Sequence, residues 1–441
     1  MSIAIVFGCI LLLILLITYG KVNAFIAFLI VSVIGGLLLG IEPIRVPGVL
    51  QKGIGDMLGS FAIVVIAGSM LGKLIAETGA AQQIATGLMG LFGKNKLQVA
   101  FMVTGFVIGL PLFYNVAFIL VFPLIAGVVH QYRLPAVYVG LPMIASLSVT
   151  HGFLPPHPSP VALVSQFGAD TGTTLLYGTI IAVPTVLLAG PVFSKTLGHI
   201  KATLLTTFRT EAREHTNLPG LSNSLFTALL PVLLLTVTTI LNMTLNQEAA
   251  IKPVVTFFSD SSIVMLVSLL YATWSLGLRR GMKMNEVMSV YTSAVSDVAM
   301  VVLIMGGAGG LKQILSESGV SAEIAGMLNN LQLDPLILGW LIACLIRVSV
   351  GSATVAGLTA AGIVAPLLAS HPETDPNLMV LAVGAGSLMF SHLNDAGFWL
   401  FKEYFNLSIR DTIRSWSLME TIVATCGLLG ALTLQWTFSL F

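Results

Sequence analysis

Apolar residues occur along this chain in long runs, separated by short stretches that hold most of the charged side chains. A membrane-spanning helix needs about 20 consecutive apolar residues. The pattern therefore predicts an all-α polytopic membrane protein with room for ten or more spans. The first run has no basic segment before it, so we expect a retained span. The runs lie at 2–20, 22–41, 59–78, 98–132, 135–150, 174–194, 221–243, 257–278, 298–311, 334–370, 378–393 and 416–439.

Two of these runs, 98–132 and 334–370, are too long for one span and contain helix-breaking residues near their centres. The first run is interrupted by Gly109 and Pro111, and the second by Gly351. Non-helical backbone at membrane depth is tolerated only where it lines a cavity or is buried in protein. We therefore expect two interrupted helices beside a polar site.

The amino-acid composition excludes a soluble protein. Hydrophobic residues make up 56% of the 441 residues and charged residues only 9%, whereas a soluble chain carries roughly 25% charged residues. The net charge of +1 argues against a nucleic-acid partner. Cys9, Cys344 and Cys426 lie inside apolar runs, so we expect neither a disulfide framework nor a cysteine-bound metal.

The second half of the chain repeats the first. Residues 62–88 align without a gap with residues 302–328, at an offset of 240. The segment that ends at His151 matches the one that ends at His392, at an offset of 241. Collinear matches of this kind indicate two structural repeats. We assign them to residues 1–200 and 221–441, joined by a linker at 201–220.

The basic residues indicate how the repeats are oriented. The positive-inside rule places the Lys and Arg side chains of 195–213 and 279–283 in the cytoplasm. If the halves are inverted, fourteen of the twenty basic residues lie inside and only Arg45, Lys52 and Lys252 lie outside. We therefore predict inverted repeats with a cytoplasmic linker. This architecture is typical of secondary transporters, which bind substrate near the midplane of the membrane.

The two breaks are the predicted substrate site. Glycine and small hydroxyl residues at a helix restart expose backbone N–H groups that suit a carboxylate. Amide and phenol groups can hydrogen-bond the hydroxyls of a polyol. The alternative is that the small residues only permit close helix packing. The candidate binding residues are Tyr114 and Asn115 at the first break, Ser349, Gly351, Ser352 and Thr354 at the second, and Thr359 and Asn394 further along the chain.

Arg347 is the only arginine well inside an apolar stretch. An unpaired cation there costs on the order of 3 kcal/mol or more. The residue either attracts an anionic substrate or holds a structural ion pair with an acid such as Asp395, and the sequence leaves both readings open. Lys73 and Lys312 each precede a glutamate near a helix end, and we interpret both as interfacial ion pairs. Lys312, which follows a glycine-rich segment, is also a candidate for contact with the anion.

Two further clusters are candidate proton carriers. His151 and His157 flank a proline pair at the end of one apolar span, and His392 and Asp395 occupy the matching place in the second half. A histidine titrates near neutrality, and a carboxylate within the membrane can be tuned to do so. The alternative is that the histidines are structural hydrogen-bond donors. No third ligand is near the first pair, so we expect no metal and no cofactor.

With these motifs in hand, the chain resembles the gluconate permease (GntP) family of the ion transporter superfamily, over essentially its full length. The resemblance implies a proton symporter of the bacterial inner membrane that imports D-gluconate or a related small sugar or hydroxy acid. The signatures that carry it are His151-Gly-Phe-Leu-Pro-Pro-His157-Pro, Arg347-Val-Ser-Val-Gly-Ser-Ala-Thr354-Val-Ala-Gly-Leu-Thr359-Ala-Ala-Gly, and Ser391-His-Leu-Asn-Asp395-Ala-Gly-Phe-Trp-Leu-Phe-Lys402-Glu-Tyr-Phe.

The resemblance also implies an elevator-type homodimer, in which a transport domain moves against a fixed scaffold. Re-entrant hairpins are then expected at the two breaks. On this expectation the scaffold helices lie at 1–58 and 221–278, and the transport-type cores at 59–195 and 290–441.

The chain departs from the family at one position. Members commonly carry an acidic residue in the first break, where this chain has Asn115. Coupling is then expected to use Asp395 or a histidine, or else the coupling or the substrate preference differs. The alternatives from other classes are a sodium-coupled dicarboxylate or hydroxy-acid carrier and a membrane-embedded metal enzyme.

Overall fold

The computed structural model describes residues 2–92, 96–200, 202, 218–246, 249–320, 333–393 and 395–440. Within these ranges the regular secondary structure is helical and contains no strand. The α-helices, numbered in chain order, are α1 Ser2–Thr18, α2 Ala24–Leu38, α3 Val46–Glu77, α4 Ala80–Phe92, α5 Leu97–Gly109, α6 Tyr114–Tyr132, α7 Ala136–Phe153, α8 Pro158–Phe167, α9 Thr171–Leu187, α10 Leu221–Thr244, α11 Lys252–Ser259, α12 Ser261–Ala272, α13 Met284–Glu317, α14 Pro335–Val350, α15 Ala353–Ser370, α16 Pro376–Gly386, α17 Ala396–Tyr404, α18 Ile409–Thr412 and α19 Leu418–Phe438. Short π-helical turns at Leu188–Val192, Thr273–Gly277 and Ile413–Ser417 adjoin α9, α12 and α19.

The two predicted interruptions lie where the sequence placed them. Residues 110–113 separate α5 from α6, and Gly351 and Ser352 separate α14 from α15. Gly351 has a φ of +81°, a left-handed conformation that glycine adopts at no steric cost. Ser352 then caps α15, because its side chain accepts a hydrogen bond from the N–H of Val355 at 3.4 Å.

Two helices are longer than the apolar runs that predicted them. The runs 59–78 and 298–311 are parts of α3 and α13, which contain 32 and 34 residues. The additional N-terminal part of α3, residues 46–58, carries Lys52 and Asp56, whose side chains pair at 2.5 Å along one face of the helix. An ion pair at this spacing supports helix beyond the apolar layer, which a count of apolar residues does not detect.

Six helical stretches among the described residues are long and apolar enough to cross a membrane, by length and composition. A seventh is α3, if its two segments, which are bent by 44°, form one span. The shorter apolar helices include α5, α14 and α15, which the breaks divide. These helices fit a protein that crosses the membrane several times.

The two long helices pack against each other through glycine. A Cβ atom added to Gly309 of α13 would lie 2.4 Å from the Cβ of Met57 and 2.6 Å from the carbonyl oxygen of Gly53 on α3. The two backbones are therefore in direct contact at this point, as small residues permit between membrane helices.

Gly309→Ala is expected to destabilise the protein by about 1–3 kcal/mol, because the added methyl group overpacks the contact between α3 and α13. Thermal unfolding in detergent measures the change. Gly306→Ala on the same helix is the matched control, since a Cβ there meets its neighbours at 3.4 Å, an ordinary contact distance. Equal melting temperatures for the two variants would contradict the prediction.

The helices of the two halves follow the same order. Each half has a long helix (α3, α13), then an interrupted pair (α5 and α6, α14 and α15), then a helix that is almost wholly buried (α7, α16). This order agrees with two repeats, while their inversion and the division into scaffold and core stay predictions. Most of the linker at 201–220 lies outside the described residues.

Candidate functional site

A cavity of about 530 Å³ lies where the two breaks meet. Residues 112–115 of the first break and 350–354 of the second line it, and α3 and α13 form another wall. A cavity of this volume suits a small molecule. The predicted site residues that line it are Tyr114, Asn115, His151, Arg347, Gly351, Ser352, Thr354 and Asp395.

Four of the described helices begin at this cavity. The first residues of α6, α8, α15 and α17 all belong to its lining. The N–H groups at a helix N-terminus have no partner within the helix and carry the positive end of its dipole. Their convergence favours an anionic ligand.

A buried ion pair lies beside the second break, between Arg347 of α14 and Asp395. Arg347 is 3% exposed, and its Nη2 atom donates to Oδ2 of Asp395 at 2.5 Å. The same carboxylate accepts a hydrogen bond from the hydroxyl of Ser391 and, through Oδ1, from the N–H of Gly397 at 3.0 Å. The Nε and Nη1 atoms of Arg347 have no partner among the described residues. The guanidinium is therefore paired and still has two donors for an anion.

The two histidines of the first half have different surroundings. His151 lines the cavity, and its Nδ1 atom has no partner among the described residues. His157 donates from Nε2 to the carbonyl oxygen of Gly109 at 2.5 Å, and this hydrogen bond holds the C-terminal end of α5 in place. The centres of the two rings are 5.1 Å apart. The hydroxyl of Tyr114, whose ring lies 6.3 Å from that of His151, likewise has no partner in the described part of the chain.

A buried acid that was not predicted from the sequence also lines this cavity. Glu420 on α19 is 2% exposed, and its Oε1 atom accepts a hydrogen bond from the hydroxyl of Ser148 on α7 at 2.6 Å. A signal was present, because Glu420 is the only acid in the apolar run 416–439. An unpaired charge at Glu420 would be costly within the membrane for the same reason as one at Arg347.

Trp416 is a second missed contributor. Its indole Nε1 donates to the hydroxyl oxygen of Ser391 at 2.7 Å, and that hydroxyl donates in turn to Asp395. The ring also lies 5.7 Å from the ring of Tyr114 across the cavity wall. Trp416 therefore positions the carboxylate and provides an aromatic surface.

Lys73 has a partner that was not predicted from the sequence. Its Nζ atom donates to Oδ2 of Asp297 on α13 at 2.8 Å, and both side chains line the cavity. The pair thus joins the two long helices at the cavity wall, whereas the sequence predicted an interfacial pair on one helix. Lys312 lies outside the cavity lining and donates to the carbonyl oxygen of Gln166, at the end of α8, at 2.8 Å.

Four predicted site residues lie outside the cavity lining, and a fifth is not described. His157 is one of the four. Ser349 is two residues after Arg347, hence about 200° further round the helix, and its hydroxyl donates to a main-chain carbonyl at 2.9 Å. Thr359 borders a separate pocket of about 10 Å³. His392 donates from Nε2 to a main-chain carbonyl of α14 at 2.9 Å. Asn394 lies outside the described residues.

In the described part of the chain, no group of three His, Cys, Asp or Glu side chains is arranged to hold a metal ion. The features that the cavity does contain suit an organic anion. The cavity combines helix N-termini, a paired arginine and several buried polar atoms.

Residues 1–437 match the family model described as GntP family permease. The chain belongs to this family. This GntP permease is 46% identical in sequence to the high-affinity gluconate transporter of Escherichia coli (strain K12), over 97% of this chain and 98% of that protein. It is 43% identical to the Gnt-II system L-idonate transporter of the same organism, over 97% of each chain. The resemblance found in the sequence is confirmed.

The fold of this permease is shared with a solved structure. The crystal structure of the Alcanivorax borkumensis YdaH transporter superposes with a TM-score of 0.65, covers 93% of this chain and 96% of that chain, and is 14% identical.

Membership of the GntP family makes this chain a transporter, and the membrane-enzyme alternative is wrong. With its several apolar helices, it is a multi-pass protein of the bacterial inner membrane.

Proposed function

We propose that this GntP permease imports D-gluconate or a closely related small sugar or hydroxy acid, in symport with a proton and by alternating access. The relatives named for gluconate and L-idonate support this substrate class. The observation that carries the proposal is the cavity at the two breaks. There the Arg347–Asp395 pair meets four helix N-termini of the described chain.

The substrate carboxylate binds at the restart of α15, next to Arg347. Gly351, Ser352 and Thr354 line the cavity there, and the guanidinium has two donors without partners among the described residues. Charge-assisted hydrogen bonds from an arginine fork are among the strongest available to a carboxylate. The hydroxyls of the substrate reach Asn115 and Tyr114 at the other break.

Proton coupling follows from competition for Arg347. In this structure its guanidinium is bound to Asp395. A proton on Asp395 removes that charge and releases the guanidinium to the substrate anion. The loaded cavity then holds one cation and one anion at this place. Moving the loaded site through the membrane therefore costs less free energy than moving an unbalanced charge. His151, on the same cavity, is the second candidate carrier.

The movement that we propose is of the elevator type, within a homodimer. The cores at 59–195 and 290–441 carry both breaks and move against the scaffold helices at 1–58 and 221–278. The shared fold with the YdaH transporter is compatible with this division. The bend in α3, between its segments Val46–Gly59 and Ala62–Glu77, falls at the proposed boundary.

Uptake by the purified protein in proteoliposomes tests the proposal. With an imposed inward proton gradient, D-gluconate is expected to accumulate about tenfold per pH unit if one proton accompanies each monoanion. A protonophore should abolish the accumulation, and protein-free liposomes are the control. L-Idonate, glycerate, 3-hydroxybutyrate and a dicarboxylate serve as competitors. Accumulation driven by a sodium gradient at equal pH would contradict proton symport and support the sodium-coupled alternative.

A further inference from the structure

We infer that Glu420 is a neutral carboxylic acid in the substrate-binding state, and that its Oε2–H group recognises a hydroxyl of the substrate. The inference rests on the proposed function, because it assumes that the cavity binds a hydroxylated anion. It assigns to Glu420 a role in choosing polyhydroxylated acids over acids with few hydroxyls.

The first support is the hydrogen bonding of this carboxyl group. Glu420 is 2% exposed, and Ser148 provides one hydrogen bond, to Oε1, at 2.6 Å. The buried Oε2 atom has no partner among the described residues. An ionised carboxylate can accept about four hydrogen bonds, and burial without them is costly. A proton on Oε2 removes that cost and converts the atom into a donor.

The second support is the charge balance of the cavity. Among the described residues its lining contains four other fully charged groups, which form two pairs: Arg347 with Asp395 and Lys73 with Asp297. An ionised Glu420 would be a fifth charge with no ion pair of its own among the described residues, near a site that receives an anion. The lining also contains His151, whose Nδ1 atom has no partner and therefore forms no ion pair with Glu420 in the described structure.

The third support is the set of unpartnered polar atoms that line the cavity together with Glu420. Three buried polar atoms on this cavity have no partner among the described residues and are not part of the anion site: Oε2 of Glu420, the hydroxyl of Tyr114 and Nδ1 of His151. Trp416 lies beside them, with its ring 5.7 Å from that of Tyr114. The proposed substrate, with its carboxylate bound by Arg347, can satisfy these atoms with its hydroxyl groups. The arrangement fits a polyhydroxylated carbon chain.

Two substitutions in the full-length reconstituted protein test the role of Glu420. Glu420→Gln keeps a donor and an acceptor of the same shape but cannot ionise. Glu420→Met keeps the length and removes both polar atoms. Affinities for D-gluconate and for 3-hydroxybutyrate, which has a single hydroxyl, are measured by competition in counterflow. Glu286→Met is the matched control, since Glu286 caps α13 on an exposed surface outside the cavity.

Glu420→Gln is expected to keep the affinity for D-gluconate within about threefold and to keep proton-driven accumulation. Glu420→Met is expected to weaken the binding of D-gluconate by about tenfold, since one hydrogen bond to a hydroxyl is lost. The binding of 3-hydroxybutyrate is expected to weaken much less. The control variant should leave the ratio of the two affinities unchanged.

Two results would overturn the inference. If Glu420→Gln exchanges D-gluconate but no longer accumulates it, the residue carries the coupled proton and is not a permanently neutral donor. If Glu420→Met weakens both acids equally, or only lowers the yield of folded protein, its role is structural. Failure of the proposed function itself is distinct from both, because the unaltered protein would then transport no sugar acid.

Discussion

Asp395→Asn is expected to abolish accumulation of substrate against its gradient while exchange of substrate across the membrane continues. The amide cannot bind and release a proton in the transport cycle, so Arg347 is available to the anion at every pH. The cap of α17 should survive, since the Oδ1 atom that accepts the N–H of Gly397 is kept and asparagine caps helices as well as aspartate does. The variant should still melt at a lower temperature, because the buried Arg347 loses its counter-ion. The accumulation ratio under an imposed proton gradient should fall to one.

The matched control for this variant is Asp375→Asn. Asp375 caps α16 in the same way, accepting the N–H of Asn377 at 2.7 Å, but it does not line the cavity. Accumulation should be retained in this variant, so a loss confined to Asp395→Asn reports on the proton and not on helix capping. If Asp395→Asn still concentrates substrate, the coupling role of this carboxyl is wrong.

Arg347→Gln is expected to raise the KM for D-gluconate roughly 10- to 150-fold. The substitution removes charge-assisted hydrogen bonds to the substrate carboxylate, which contribute about 1.5–3 kcal/mol. It also leaves Asp395 without its counter-ion, and breaking one side of a buried pair destabilises proteins by about 3–5 kcal/mol. A KM from initial uptake rates and a melting temperature in detergent separate the two effects.

The double variant Arg347→Gln, Asp395→Asn distinguishes substrate binding from a purely structural ion pair. Removing both charges together should restore much of the stability, because no buried charge is left alone. The KM should stay high if Arg347 binds the anion. A double variant with the KM of the unaltered protein would mean that Arg347 serves only as the partner of Asp395. Arg347→Lys should bind with intermediate affinity, since it keeps the charge but loses the planar fork.

Features that depend on neighbouring residues were predictable from the sequence. The second break is an example, because a glycine with positive φ followed by a serine that caps the next helix is a local arrangement. The all-helical membrane class and the family follow equally from apolar runs and short signatures. The lengths of α3 and α13 were underestimated, since their ends are held by pairs such as Lys52 with Asp56 and not by apolar residues.

The side chains of the site were predicted less well than the breaks. Ser349 and Ser352 are alike in type and three residues apart, yet only Ser352 lines the cavity. The sequence does not contain the rotation of α14 about its axis, which is set by packing against other helices. Arg347 shows the same limit, because the sequence left open whether it pairs with an acid or binds the substrate, and binding of the substrate stays a prediction. Arg347 is bound to an acid and still presents donors that lack partners among the described residues.

The membrane environment, the two breaks and the family could be predicted from the sequence, because each depends on residues that are close together in the chain. Which polar groups share one cavity depends instead on the packing of distant helices. Ser148 and Glu420 are 272 positions apart and meet at 2.6 Å, and Lys73 meets Asp297 across 224 positions. Contacts of this kind depend on how whole helices pack, and no local pattern of residues specifies that packing.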